Sequence, residues 1–274
     1  MTAALREATR ADPILAILRD QARMEARSVR EQLALLAAAR RAILGELGQA
    51  AGFRLFHLSQ VLAAVDRAIR AGRSRAEALI AGRTRDTWRL GDRLVDVALK
   101  AEDAGLYSVS SSLLDAAVDV TSDQIRAIWS ELGTRLKVAI RRAALGIDDP
   151  FAAIQAVARV IRDPKTFRSA VARAEAIVRT ELNRIFNTAT QKRLEVSDQR
   201  MGGGLKKWWL TAEDQRVRPD HAAAGRRYDR AHAIPVGRPF IVGGHAMMQP
   251  HDPQAPASQV VQCRCRAVPL VAGL

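Results

Sequence analysis

The sequence predicts a mainly α protein, a long-helix N-terminal array followed by a small α+β C-terminal domain, and three observations carry that prediction. No proline occurs between Pro13 and Pro150, and the run between them is rich in Ala, Leu and Arg, whose side chains lose little rotamer freedom in a helix. Apolar residues recur at three- and four-residue spacing through much of this run. Beyond residue 218 the composition changes: four of the five histidines, both cysteines and seven of the ten prolines lie there. Groups that bind metal, move protons or fix a rigid turn are thus concentrated in the last quarter, from Lys206 to Ala267.

Asp12-Pro13 reads as an N-cap followed by Pro at the first helical position, opening one helix from Ile14 to about Leu47 that Gly45, Gly48 and Gly52 should end. Leu33, Leu36, Ile43 and Leu47 form its apolar stripe. A second helix carries Leu58, Val61, Leu62, Val65 and Ile69 and should stop near Gly72, with Ser74 to Glu77 spaced as a capping box for a short helix. Trp88 to Ala101 and Ser108 to Val120 are two further amphipathic stretches. Ile125, Ile128, Trp129, Leu132, Leu136 and Ile140 give the cleanest stripe, ended by the turn Gly146 to Pro150. A short helix is expected over 151–161, and a long one over 165–198 that Met201 to Gly204 ends as a hinge. The implied boundary separates a helical region, residues 1–164, from a C-terminal domain, residues 165–274. In that domain Lys206 to Leu210 reads as a strand, Ala222 to Ala224 as a short helix ended by Gly225, and Ile234 to Pro256 as a Pro/Gly-rich loop.

The formal net charge is +14 with a pI near 11.0 and only 4% aromatic residues. Such a balance suits a polyanion or an acidic protein surface, although arginine outnumbers lysine throughout, as a GC-rich genome would also give. Arg67, Arg70, Arg83, Arg89, Arg93, Arg141 and Arg142 are the candidates for phosphate contact. Asp and Glu are interleaved with them, so the competing reading is of solvated helix faces. Two cysteines two residues apart are no secreted disulfide framework. The first 13 residues hold no apolar core of a leader, and no apolar run reaches the ~20 residues of a membrane span. Synthesis in a reducing cytoplasm is the expectation.

The C-terminal residues support competing readings. With Val260 to Ala267 as a strand, Cys263 and Cys265 share one face and can simply fill a core. Alternatively both thiolates, His221 and one of His232, His245 or His251 make a zinc set. Asp214, Arg216, Arg218, Asp220 and His221 lie within eight residues, as an acid/base cluster or as a turn locked by side-chain bonds to backbone. An open catalytic site needs a second acidic or histidine group, and His245, His251 and Asp252, on the loop, are the available ones.

The long helix carrying Ala176 to Glu181, Asn183 and Asn187 is followed in order by four more pieces: Lys207-Trp208; Asp214 to Arg218 with His221 and Gly225; Pro250 to Pro253; and Cys263-Arg264-Cys265-Arg266. In this order they resemble the C-terminal domain of the phage Mu F-like minor head proteins, the head morphogenesis family, over roughly residues 165–270. Gln262 stands where that family usually has Asn, and His251 where Gly is common. The resemblance implies that Trp208, Asp214, Arg216, Arg218, His221, Gly225 and Asp252 are structural motif residues. It also implies a structural protein of the virion head or neck region, without catalysis. Such a protein would be made in the host cytoplasm, enter in several copies per particle, and associate with the portal protein, the capsid interior and the packaged double-stranded DNA. The alternative from another class is a metal-dependent nuclease or hydrolase using His221, Asp214 and the Cys263/Cys265 pair.

Overall fold

A computed structural model describes residues 12–49, 58–100, 111–147 and 170–270. Four long helices dominate it: α1 (Pro13–Gln49), α2 (Leu58–Leu99), α3 (Ser111–Ala144) and α4 (Ala170–Arg200). After them come β1 (Lys206–Leu210), α5 (Pro219–Arg227), β2 (Ile234–Pro235), β3 (Phe240–Val242), β4 (His245–Met247), α6 (Ala257–Val260) and β5 (Arg266–Leu270). The protein is therefore mainly α with a small α+β part near its C-terminus, and among the described residues every strand lies after Gly204. The expected 151–161 helix and the 164/165 boundary lie outside the described residues. So do 165–169, the start assigned to the long helix, and Asp148 to Pro150 of the turn.

Asp12 caps α1 as expected: its Oδ1 accepts the N–H groups of Ile14 at 2.9 Å and Leu15 at 3.3 Å. Two helix ends use glycine in the left-handed region. At the end of α3, Gly146 has φ +70°, and the N–H groups of Gly146 and Ile147 bond Ala143 O and Arg142 O. Gly202 and Gly203 do the same for α4, bonding Gln199 O and Asp198 O. Both are Schellman closures, which satisfy carbonyls the helix leaves over.

Other glycines do not end helices, and several expectations are corrected for that reason. α1 runs past Gly45. α2 is one helix where three segments were expected: it passes Gly72, and Ser74 to Glu77 lie within it rather than capping a new one. A Cβ on Gly72 would lie 2.3 Å from ring carbons of Trp129, and one on Gly91 2.7 Å from Ala189 Cβ. Both are contact glycines, letting another helix approach the backbone closely. Likewise Ser108 to Val120 and the Ile125 stripe belong to a single α3 over its described length.

The chain divides into two compact units, each drawing on stretches of these same helices: residues 27–82 with 118–178, and residues 1–26, 83–117 and 179–274. In the first, Val29, Leu36 and Ile43 of α1, Val65, Ile69 and Ile80 of α2, and Ile125, Trp129, Leu132 and Leu136 of α3 are buried. Its buried polar groups are few, one being Gln32, whose Nε2 donates to Ala76 O at 2.9 Å.

In the second unit α4 is buried on nearly every side between Thr180 and Ser197. Ile17, Leu94 and Phe186 form one apolar cluster there, and Val95, Leu194, Leu205 and Val236 another. The sheet has order β2-β1-β5, all antiparallel, with Trp209 opposite Ala267 and Leu210 opposite Arg266. β3 and β4 form a hairpin turned by Gly243 and Gly244, both at positive φ. The segment expected as a loop over Ile234 to Pro256 thus holds three short strands. The last strand also starts later than expected: Ala257–Val260 is a helical turn and Gln262 takes φ +54°, so Cys263 and Cys265 precede β5. Finally, α5 continues through Gly225 to Arg227, with Gly225 against Thr211 rather than at a helix end.

Candidate metal centre

α5 begins at Pro219, which presets the backbone for the first turn, and this places His221 on its buried face. Opposite it, α4 holds the terminal segment by its backbone. Thr180 Oγ1 accepts the N–H of Gln262 at 3.0 Å, and Asn183 Nδ2 donates to Cys263 O at 3.1 Å. Asn187 both donates to Cys265 O at 3.2 Å and accepts Ala267 N–H at 3.0 Å. Residues 180, 183 and 187 share a helix face, so one polar stripe reads an irregular strand that has no ladder partner for those groups. His251 completes the clamp: its ring accepts from Asn187 Nδ2 at Nδ1, 3.3 Å, and donates from Nε2 to Cys263 O, 2.8 Å. Burial first of all lowers its pKa, which suits this neutral tautomer.

The result brings three ligand-type atoms together. His221 Nδ1 lies 3.4 Å from Cys263 Sγ and 3.4 Å from Cys265 Sγ. Both thiols are free, and each cysteine is 2% exposed, His221 1%. His221 Nε2 is turned the other way and donates to Gln259 Oε1 at 2.8 Å, while Gln259 Nε2 reaches Asp220 Oδ2 at 3.3 Å. Cys265 N–H points at Cys263 Sγ, 3.4 Å. Trp209 stands edge-on to the imidazole, centroids 5.6 Å apart, and its buried Nε1–H has no conventional partner.

Electrostatically the two thiols behave as one unit. Cys263 is held well below the usual thiol value, first by the hydrogen bond from Cys265 and against its burial. Cys265 is pushed up by the same bond and by burial, although the Trp209 indole favours its thiolate. For His221 burial opposes the imidazolium, but the bond to Cys263 and the charge there outweigh it, and its pKa is raised.

His221, Cys263 and Cys265 thus converge as the zinc reading requires, and they also belong to the apolar core with Trp209, Tyr228, Phe240 and Met247. Among the described residues no second histidine joins them. His251 has both ring nitrogens engaged and is fully buried rather than on an open loop. His232 is exposed and pairs with Asp229, and His245 is exposed on β4.

Asp214 does not face the thiols as a free base. Arg264 grips it with two bonds of 2.6 Å, and Arg216 adds its backbone N–H at 3.0 Å. Those bonds, Arg264 first, hold its carboxyl well below the usual range. Arg218 donates to Val261 O at 2.6 Å. Asp252 accepts the N–H groups of Met248 and Gln254, fixing its own turn. Trp208, half-buried on the other face of β1, lines a cavity of about 390 Å³ with Ile14, Leu18, Val97 and Val268.

The phosphate candidates are dispersed. Arg67, Arg70, Arg141 and Arg142 are exposed in the first unit; Arg89 and Arg93 are exposed in the second, where Asp86 pairs with Arg89 and with the half-buried Arg83.

Sequence reasoning missed Gln259, Lys207 and Arg266 as structural polar groups. Lys207 lies fully buried, donating to Met248 O at 2.6 Å and Gln191 Oε1 at 3.2 Å. Arg266 is buried against Gln21, Asn183 and Cys265 O, with its guanidinium 5.5 Å from the Phe186 ring. The only sequence signal for either was a cation at an otherwise inward strand position. Among the described residues no helix is long and apolar enough to cross a membrane. Compared with family models, curated proteins and solved structures, the chain finds no match in any of the three.

Proposed function

We propose that the protein is a structural minor head protein of a tailed phage, phage-like particle or prophage, acting in head assembly beside the portal. One observation supports this most. The residues that carry the family resemblance come from separate stretches of chain, and Thr180, Asn183, Asn187, Asp214, Arg218, His221, Cys263, Arg264 and Cys265 are engaged with one another or with the backbone of the terminal segment from Val261 to Cys265. Residues used in this way specify a folded module rather than present groups to a substrate. The two departures from the family pattern fit the same reading. His251 and Gln262 hold φ of +65° and +54°, the region that Gly and Asn occupy at least cost. The partners on this reading are portal and capsid interior, with packaged DNA met sequence-independently by exposed arginines such as Arg67, Arg70 and Arg141.

The test uses the phage or prophage that encodes the chain. Mass spectrometry of density-purified particles should find it in several copies alongside the portal protein, and an early stop codon should reduce the yield of filled heads. A chain abundant in the lysate yet absent from purified particles would sink the proposal.

A metal-dependent nuclease or hydrolase is the second reading, favoured by the three-ligand cluster, since catalytic zinc keeps one position open. The cavity at that position is about 20 Å³, room for one water and far below a nucleotide. Duplex DNA cut by the purified protein and left intact by His221→Ala would establish this reading instead.

A further inference from the structure

We propose that His221 Nδ1, Cys263 Sγ and Cys265 Sγ bind one zinc ion whose fourth ligand is a single water, and that this ion fastens α5 to the segment leading into β5. This goes beyond the head-protein reading and does not depend on it. A tetrahedral zinc with ordinary bond lengths sets a ligand nitrogen and sulfur about 3.6 Å apart. The two nitrogen–sulfur distances are both 3.4 Å, and all three atoms lie within 4.8 Å of one another. The nitrogen–sulfur spacings are therefore close to the required size before any ion enters.

The surroundings are those of a ligand set. The metal-facing nitrogen is selected by the bond from His221 Nε2 to Gln259, which Asp220 in turn orients, the arrangement that fixes tautomer and raises basicity in metal-bound histidines. Gly243 leaves room for that pair: a Cβ there would lie 2.6 Å from Asp220 Oδ2 and 2.6 Å from Gln259 Nε2. Cys265 N–H supplies a donor to Cys263 Sγ, which an apolar core of neutral thiols would not require. Two thiolates and an imidazole are a soft-to-borderline set, which selects zinc over magnesium or calcium. On binding, zinc displaces two protons to solvent, one from Cys265 and one held between Cys263 Sγ and His221 Nδ1. Its two positive charges then match the two thiolates, so the buried centre is neutral.

The fourth position faces a cavity of about 20 Å³ lined by Arg216, Arg218, Gln262 and the three ligands. That volume holds one water.

The experiment uses the full chain expressed with zinc in the medium. Elemental analysis should give about one zinc per chain, and X-ray absorption two sulfurs, one nitrogen and one oxygen around it. Cobalt in its place should show thiolate charge-transfer and tetrahedral d–d bands. Chelation should lower the melting temperature, because zinc affinity here is folding free energy. Cys265→Ser should abolish binding; since that chain can also fail to fold, Gln259→Leu serves as the second variant. It keeps all ligands and should weaken zinc about 10–100-fold with the cobalt bands retained. A folded protein that takes up no metal on reconstitution, whose melting ignores chelator, overturns the proposal. So does a Cys263–Cys265 disulfide, or unchanged affinity in Gln259→Leu.

Discussion

The two compact units are held together by different forces. In residues 27–82 with 118–178, the interior is a stripe of aliphatic residues and Trp129 between helices, and ion pairs such as Arg126 with Glu77, Lys137 with Asp66 and Arg173 with Glu131 lie at the surface. In the C-terminal half of the other unit, the buried groups include Asn183, Asn187, Gln191, Arg193, Lys207, His221, His251 and Arg266. An aliphatic interior tolerates exchange of one apolar residue for another, because its attraction has no direction. A buried polar network accepts one arrangement, since every unmatched donor or acceptor costs its desolvation. That half therefore has fixed residues in a fixed geometry, and the helical unit has mainly a fixed pattern.

The largest test of this contrast is Arg266→Ala. It leaves Gln21 and Asn183 without their buried cation and removes one of the two cations beside Glu25, whose carboxylate lies 4.0 Å from Arg266 and 2.8 Å from Arg179. Urea denaturation should report a loss of about 3–5 kcal/mol, as for other broken buried ion networks. A loss under ~1 kcal/mol would mean that the network is not what holds this half together.

Next in size is the pH dependence from Lys207. Burial first, against the charges of Glu195 and Asp252, lowers its pKa from 10.5 to about 8. Between these values the unfolded chain binds a proton that the folded chain does not, so stability rises with pH across the window. Below pH ~8 both states are protonated and the whole cost of the buried charge is present. The gain from pH 8 to 10.5 should approach ~3 kcal/mol. Other groups titrate in the same window, so the measurement is the difference between the native chain and Lys207→Met, whose curve should lack this rise. Parallel curves would refute a buried ammonium.

In the helical unit the sensitive point is steric. Gly72→Ala would gain about 1 kcal/mol in an open helix. Against the Trp129 ring it should instead cost ~1–3 kcal/mol by overpacking. A stabilised variant would show that the ring moves aside freely. The smallest effect is expected from Lys137→Ala, which removes a 3.0 Å pair with Asp66 at a partly exposed site. Less than ~1 kcal/mol should be lost, and a larger loss would place polar bracing in this unit too.

By itself the sequence determined the helical content, the Asp12 cap, the Gly146 and Gly202 helix ends and the place of β1. Each depends on residues within a few positions of one another, or on a period that one element sets alone. It also marked His221, Cys263 and Cys265 as possible partners, because few residue types can bind metal. Only the tertiary structure decided that Gly72 lies inside α2, since the reason is Trp129, far along the chain. The same holds for the choice of ligand group. His221, His232, His245 and His251 are alike as residues, and they are separated by which backbone carbonyls, amides and carboxylates the fold brings to each ring. Arg266 and Lys207 are cations, yet they are interior, because Asn183, Gln191 and two backbone carbonyls supply acceptors there. A residue's propensity is local, whereas the satisfaction of a buried polar group belongs to whatever packs around it, and so only the folded chain could fix it.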